Sequence, residues 1–263
     1  MTQRTLKRIA LICMIIDHIG SHVSRLPMWF LYVGRLSAPL FFFCAAEGFS
    51  HTRSKSKYLK RLYLYATLME FGNIVISILL DEDICRSNIF MTLFLGSFLI
   101  WVFERWRAKG LFIFLIYQAA IAGLLFLTDR YGVLDIIGIT NGRIQECLVV
   151  AFGNISGSLL VVEGGALFVA LYFALYFSKD NKNLLTITMI VFSFVIYKGT
   201  HRAWNSAFVR FNIFRLYKEQ YLMLFSLPFM YLYDGTKGKG SKYFYYWFYP
   251  VHLWILNIID GFI

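Results

Sequence analysis

The run ALICMIIDHIG, residues 10–20, is apolar except for Asp17 and His18. Its length and composition predict a first membrane-spanning helix, Leu6–His22. Ionisable groups are expensive in hydrocarbon, and a chain that keeps them there usually uses them. Histidine is also the side chain most easily poised for proton transfer near neutral pH. Asp17 and His18 are therefore the first candidates for a functional site; the alternative is a polar pair that only holds helices together.

The composition of the whole chain indicates the class of protein. Hydrophobic residues make up 59% of the 263 residues and charged residues only 16%, whereas about 25% charged is usual in soluble domains. We expect one all-α domain, residues 1–263, folded as a polytopic transmembrane helical bundle in a lipid bilayer. The net charge of +11 comes from Lys and Arg that flank the apolar runs. It therefore indicates contact with anionic lipid rather than with nucleic acid.

The apolar runs predict about ten membrane-spanning helices, or eleven if one glycine-rich region holds two. A separate stretch, Trp204–Tyr217, mixes aromatic and basic residues as an amphipathic helix on the membrane surface would. The predicted spans are Leu6–His22, Trp29–Phe49, Leu59–Leu80, Ile89–Phe103, Leu111–Thr128, one or two within Tyr131–Gly164, Ala166–Phe177, Leu184–Tyr197, Tyr221–Tyr233 and Tyr243–Ile259.

The loops between these spans predict the orientation. Lys and Arg are concentrated before the first span and after the second and fourth, whereas residues 81–83 are acidic. Because cytoplasmic loops carry the excess of basic residues, we expect the N-terminus in the cytoplasm and the chain in the cytoplasmic (inner) membrane. In the second half, Lys198–Lys218 and Lys237–Lys242 lie on opposite sides of one predicted span. The orientation of that half therefore stays open.

Charged and polar residues in the other spans add candidates. Arg35 cannot lose its proton, so inside a membrane it needs an anionic partner, and Asp17 on the neighbouring helix is the natural one. Glu47 lies near the predicted cytoplasmic face, where it is either a site residue or an interfacial residue bonded to Arg53. His252 is a lone histidine in an apolar span, which taken alone is more often a core residue than a catalytic one.

Two basic segments could bind a phosphate-rich ligand. Basic side chains beside an aromatic ring suit a nucleotide, because phosphates take the charge and the ring can stack on a base. The alternative is ordinary positive-inside signalling, which charge alone does not reject. The first segment contains Arg53, Lys57, Tyr58 and Arg61; the second is the Gly-Lys loop, residues 234–243, with Lys242 and Tyr243 at its end.

The four cysteines, Cys13, Cys44, Cys85 and Cys147, lie far apart in the sequence. None of them has the spacing of a metal ligand. We interpret them as buried apolar residues, so neither a disulfide framework nor a metal site is expected.

Short motifs at both ends of the chain suggest a family. They are Leu6–Ala10, Asp17–Gly20, Gly34–Leu36, Pro39–Phe41, Ala46–Phe49, Lys57–Leu59, Asn88–Phe90, Thr92–Leu93, Lys242–Tyr246 and Phe248–Leu253. Each motif is weak alone, but in this order they resemble the TraX family of membrane acetyltransferases. The middle of the chain, Trp101–Gln220, matches poorly, so the resemblance concerns the chemistry and not the acceptor.

This resemblance implies transfer of an acetyl group from acetyl-coenzyme A, since the family's namesake acetylates the N-terminal amine of a conjugative pilin. The chain is also similar to a wider group of membrane acyltransferases in which a membrane-embedded histidine is catalytic. In this sequence that role falls to His18, with Asp17 and Arg35 supporting it. Asn88 and Thr92 lie in matching motifs and are further candidates.

We therefore expect a membrane acyltransferase that moves an acetyl group from cytoplasmic acetyl-coenzyme A to an amine or hydroxyl of an unidentified acceptor. His18 would act as general base. Arg53, Lys57, Tyr58 and Arg61, with Lys242 and Tyr243, would bind the coenzyme. The rival is a proton-coupled transporter or exporter that uses Asp17 and His18 as a relay.

Overall fold

The structure is a computed structural model, and it describes residues 1–22, 26–80, 88–136, 138–139, 141–203, 218–240 and 243–260. Within these ranges all regular secondary structure is helical, as predicted, and there is no strand. The elements are α1 (Gln3–His22), α2 (Trp29–Gly34), α3 (Ser37–Ser50), α4 (Lys55–Leu80), α5 (Ile89–Arg130), α6 (Val133–Ile136), α7 (Gly142–Ile155), α8 (Gly165–Ser178), α9 (Lys182–Ala203), a 3₁₀ helix (Lys218–Ser226), α10 (Leu227–Tyr231) and α11 (Tyr243–Asp260).

Several of these helices are suited to a membrane. Within the described residues, four segments are long and apolar enough to cross one: Trp29–Ser50, Lys55–Leu80, Ile89–Thr128 and Lys182–Gly199. Large apolar side chains lie exposed on them, such as Leu79 at 75% and Phe112 at 65%. Such surfaces are unfavourable in water and indicate a membrane protein. The predicted total of about ten spans is not confirmed; α7 and α8, for example, are apolar but short.

Prolines affect the hydrogen bonding of two predicted spans. The predicted span Trp29–Phe49 is confirmed as the apolar segment Trp29–Ser50, within which α2 gives way to α3 at Arg35 and Leu36. Pro39 has no N–H to donate to the Arg35 carbonyl, and its ring excludes that carbonyl from a regular helical hydrogen bond. The prediction of one helix over Tyr221–Tyr233 is wrong, because the 3₁₀ helix gives way to the short α10 just before Pro228.

The remaining predicted segments either differ in part from the structure or lie outside the described residues. The region Tyr131–Gly164 contains α6 and α7. The predicted spans Ile89–Phe103 and Leu111–Thr128 are the two legs of α5, which meet at Arg107 with a φ of 50°. The acidic residues 81–83 and the stretch Trp204–Tyr217 lie outside the described residues.

The described residues divide into two compact units. The first contains Met1–Arg53 and the described helices from Ala170 onward. Its core includes one face of α1, where Leu6, Ala10 and Met14 recur every four residues and are buried. Gln3 fixes the start of α1 against α3, because its Nε2 donates to the Cys44 carbonyl at 2.7 Å.

The second unit contains Ser54–Val169. Its α5 doubles back on itself: a Cβ at Gly110 would lie 2.9 Å from the Val102 carbonyl oxygen, and the Phe98 and Phe114 rings are 6.5 Å apart. Cys147 on α7 is disulfide-bonded. The prediction that no cysteine is bridged is therefore wrong for Cys147, because a disulfide needs proximity in space and not in sequence. Cys13 and Cys44 are buried free thiols, as predicted.

Candidate active site

Arg35 lies at the break between α2 and α3, in the first unit, and its side chain is only 4% exposed. Its Nη2 donates to Oδ1 of Asp17 on α1, which confirms the predicted ion pair. Its Nη1 donates to Oε1 of Gln220 at 3.2 Å, and its Nε donates to the Leu31 carbonyl at 3.0 Å. One guanidinium thus ties α1, α2 and the 3₁₀ helix together.

Two neighbours that the sequence did not single out complete this ion pair. Gln220 Nε2 lies 3.4 Å from the Arg35 carbonyl oxygen, the group that Pro39 leaves without a helical donor. Gly34 leaves room for the Asp17 carboxylate, because a Cβ at this position would collide with its Cγ and Oδ1. Neither neighbour could be assigned from its residue type alone.

His18 faces a different helix from Asp17, as the turn of about 100° between adjacent helical residues requires. Its Nδ1 lies 2.8 Å from Nε2 of His252 on α11. The ring planes are inclined by 14° and their centroids are 5.0 Å apart. His252 is therefore the partner of His18 and not an isolated core residue.

The hydrogen bonds of His252 determine which nitrogen of His18 is available. Nδ1 of His252 lies 2.8 Å from the Phe248 carbonyl oxygen, which can only accept, so this nitrogen carries the proton. Nε2 of the neutral His252 ring must then accept, and Nδ1 of His18 donates to it. The lone pair of a neutral His18 is left on Nε2, which has no hydrogen-bond partner among the described residues. This is the arrangement that a general base needs.

The polar residues continue by one helical turn beyond His18. Nδ1 of His22 lies 2.8 Å from the His18 carbonyl oxygen, and its Nε2 lies 3.4 Å from Oδ1 of Asn257 on α11. Three histidines and one asparagine therefore line the contact between α1 and α11. The i, i+4 spacing of His18 and His22 was visible in the sequence, but their partners on α11 were not.

The residues predicted to bind the coenzyme fall in both units. Arg53 and Lys57 are exposed; the former precedes α4 and the latter lies in its first turn. The guanidinium of Arg61 lies 5.4 Å from the centre of the Tyr58 ring on α4. Tyr243 begins α11 and is 50% exposed. Lys242 lies outside the described residues.

Three further candidates have structural partners. Glu47 lies 3.1 Å from Nδ1 of His51 and 4.0 Å from Nζ of Lys179, and it forms no ion pair with Arg53. In the second unit, Thr92 donates to the Glu163 carbonyl at 2.8 Å.

Asn88, at the start of α5, belongs to a polar cluster in the second unit that the sequence analysis missed. Glu70 is completely buried, and its Oε2 accepts from Nδ2 of Asn88 at 2.8 Å and of Asn154 at 2.9 Å. Among the described residues, Oε1 of Glu70 and Oδ1 of Asn154 have no hydrogen-bond partner. A carboxylate in an apolar helix was the signal that selected Asp17, and it applies equally to Glu70.

Half of the chain matches a known protein family. The family model described as TraX protein matches residues 2–135, which is half of the 263-residue chain. No curated protein and no solved structure matches the chain. The matched segment contains Asp17, His18 and Arg35, whereas His252 lies beyond it. The chain belongs to the TraX family.

Proposed function

We propose that this protein is a membrane acetyltransferase that uses acetyl-coenzyme A and that His18 is its general base. The observation that carries the proposal is the hydrogen bond between His18 and His252, which leaves the lone pair on Nε2 of His18. Membership of the TraX family supports the type of reaction.

The proposed reaction is direct transfer. The amine or hydroxyl of the acceptor attacks the carbonyl carbon of the thioester while Nε2 of His18 takes its proton. The C–S bond then breaks, and the protonated His18 returns the proton to the departing sulfur. General-base assistance of this kind is typically worth about 10²–10⁴-fold in rate.

The surrounding residues would hold His18 in place rather than react. His252 fixes the direction in which the His18 ring donates, and the pair of Asp17 and Arg35 holds α1 against α2 and the 3₁₀ helix. A rigid arrangement of this kind contributes to catalysis by keeping the base in line with its substrate.

The donor and acceptor follow from the family rather than from the geometry. The proposed donor is cytoplasmic acetyl-coenzyme A, and the acceptor carries a free amine, such as a peptide N-terminus, or a hydroxyl. The proposed location is the cytoplasmic membrane with the N-terminus inside. The predicted coenzyme contacts of Arg53, Lys57, Tyr58, Arg61, Lys242 and Tyr243 stay a prediction.

One observation favours a second candidate, a proton-coupled transporter. The rings of His18 on α1 and His252 on α11 are hydrogen-bonded directly to each other, as two members of a proton relay would be. A relay, however, has no use for coenzyme A, so binding of the coenzyme separates the two functions.

The test uses the purified full-length protein in detergent with radiolabelled acetyl-coenzyme A and an apolar peptide that has a free N-terminal amine. We expect label in the peptide, and thermal stabilisation by coenzyme A that grows with its concentration. The same peptide with a blocked N-terminus and no hydroxyl is the control. Absence of both labelling and stabilisation at millimolar coenzyme A would contradict the proposal and favour the transporter.

A further inference from the structure

Five basic side chains come together at the end of the first unit where α1 begins. Arg4, Lys7 and Arg8 are spaced i, i+3 and i+4 and therefore share one face of α1. The Gly-Lys loop before α11 adds Lys237 and Lys239, with Lys237 within electrostatic range of Lys7. We call these five residues the cationic cluster. The two parts of the cluster are far apart in the sequence, with 229 residues from Arg8 to Lys237, and the fold brings them to the same end of the first unit.

The Gly-Lys loop is shaped to lie against α1. Gln3 N–H donates to the Thr236 carbonyl at 2.8 Å. Gly238, with a φ of 74°, approaches so closely that a Cβ would lie 2.8 Å from Thr2 Oγ1. Gly240, with a φ of 136°, has no room for a Cβ beside the Arg4 guanidinium. A basic loop that only determines the orientation of the protein in the membrane needs charge alone. The close packing of the Gly-Lys loop on α1 is not explained by that role.

Within the part of the chain that the structure describes, the cluster lacks a negative partner, because no carboxylate there forms an ion pair with any of its five members. Asp234, in the same loop, is already engaged, because the hydroxyl of Thr236 donates to it at 2.5 Å and lowers its pKa to about 2. The first turn of α1 contains no acidic residue, although a helix N-terminus favours negative charge. Like charges in this position repel unless an anion lies among them.

The same two helices connect the cluster to His18. Nζ of Lys7 lies 5.9 Å from the centre of the Tyr245 ring on α11. Further along, His18 meets His252 on α11. The contact between α1 and α11 thus carries cations at one end and the histidine pair at the other, about 16 Å apart at 1.5 Å per residue along α1.

We propose that the cationic cluster binds the phosphate groups of acetyl-coenzyme A, with the pantetheine arm along α1 and α11 and the thioester at His18. This inference rests on the proposed acetyltransferase function. Coenzyme A has its phosphates and its thiol at opposite ends of a long arm. The contact between α1 and α11 likewise has cations at one end and the proposed base, His18, at the other. Guanidinium and ammonium groups give strong charge-assisted hydrogen bonds to phosphate.

The test compares two charge-matched double variants of the full-length protein. Lys7→Gln with Lys237→Gln removes two charges from the cationic cluster. Arg105→Gln with Lys109→Gln removes two exposed charges from the second unit and serves as the control. The KM for acetyl-coenzyme A, the KM for the acceptor peptide and the stabilisation by coenzyme A are measured for both. Acetyl-dephospho-coenzyme A, which lacks the 3′-phosphate, is a second donor.

We expect the cluster variant to raise the KM for acetyl-coenzyme A at least tenfold and the acceptor KM little, while the control stays near wild type. The preference of wild type for the donor with the 3′-phosphate should shrink in the cluster variant. If that variant does not fold, Lys237→Gln alone is measured in the same way.

Unchanged coenzyme kinetics in a folded cluster variant would overturn the inference. Loss of stabilisation by phosphatidylglycerol, with the coenzyme KM unchanged, would assign the cluster to lipid phosphate and would also overturn it. A wild-type protein that neither uses nor binds coenzyme A would instead contradict the proposed function itself.

Discussion

Asp17 in the first unit and Glu70 in the second are both carboxylates inside helices, but their surroundings differ. Asp17 faces the guanidinium of Arg35, a permanent cation, and neighbours a histidine with an open lone pair. Glu70 is completely buried and faces the amides of Asn88 and Asn154. Within the described residues it forms no ion pair.

This difference separates a charged site from a neutral one. The charge on Asp17 is compensated, so it can hold three segments around a reactive group. Glu70 instead faces two neutral amides, and among the described residues Oε1 of Glu70 and Oδ1 of Asn154 each lack a hydrogen-bond partner. A buried carboxyl group alone therefore does not identify an active site; the groups that face it do.

The largest effect on stability is expected for substitutions of the ion pair. Asp17→Asn removes the carboxylate that faces the buried Arg35 guanidinium, and breaking a buried pair costs about 3–5 kcal/mol. Arg35→Gln should cost a similar amount, whereas the double variant should recover part of the loss. Thermal unfolding in detergent measures all three. Strictly additive losses would show that the two side chains do not interact.

A smaller effect, on rate, is expected for the partner of His18. His252→Phe keeps a ring but removes the acceptor for Nδ1 of His18, so kcat should fall about tenfold, the equivalent of one hydrogen bond of about 1.4 kcal/mol. The KM for acetyl-coenzyme A should not change. His252→Gln, whose amide can accept the same hydrogen bond, should restore part of kcat. Equal losses in both variants would show that only the shape of His252 matters.

The smallest effect is expected for the amide substitution in the second unit. Glu70→Gln keeps an acceptor for the amides of both asparagines, so the free energy of unfolding should change by less than about 1 kcal/mol. Glu70→Ala leaves the amides of Asn88 and Asn154 without this acceptor, so it should lower the free energy of unfolding by about 1–3 kcal/mol. If Glu70→Gln destabilises as much as Asp17→Asn, Glu70 carries a needed charge and the comparison fails.

The sequence predicted those parts of the fold and site that follow from local chemistry. The apolar runs located α1, α4, α8 and α11 to within a few residues. The high cost of an unpaired arginine in hydrocarbon predicted the partner of Arg35. The prediction that Asp17 anchors another helix, and not the ring of His18, is also confirmed.

Other parts depend on contacts between distant segments. His252 met His18 across 234 residues, and nothing in its own neighbourhood indicated that contact. The sequence around Gln220 did not indicate its role. Its amide donates to the Arg35 carbonyl, which Pro39 leaves without a helical donor. The prolines at 39 and 228 were visible in the sequence, but their effect depended on where each helix would otherwise have continued.

The central claim is that His18 performs the chemistry, and acetyl transfer by His18→Ala tests it most directly. The variant is compared with wild type and with Glu70→Gln in the labelled acetyl-coenzyme A assay, with thermal unfolding measured in parallel. We predict that His18→Ala loses at least about 100-fold in rate, the lower limit of general-base assistance. It should still fold, with a lower unfolding temperature because His252 loses its hydrogen-bond donor, and it should still be stabilised by coenzyme A, while Glu70→Gln transfers acetyl groups at nearly the wild-type rate. Activity of His18→Ala within a few-fold of wild type would contradict the account.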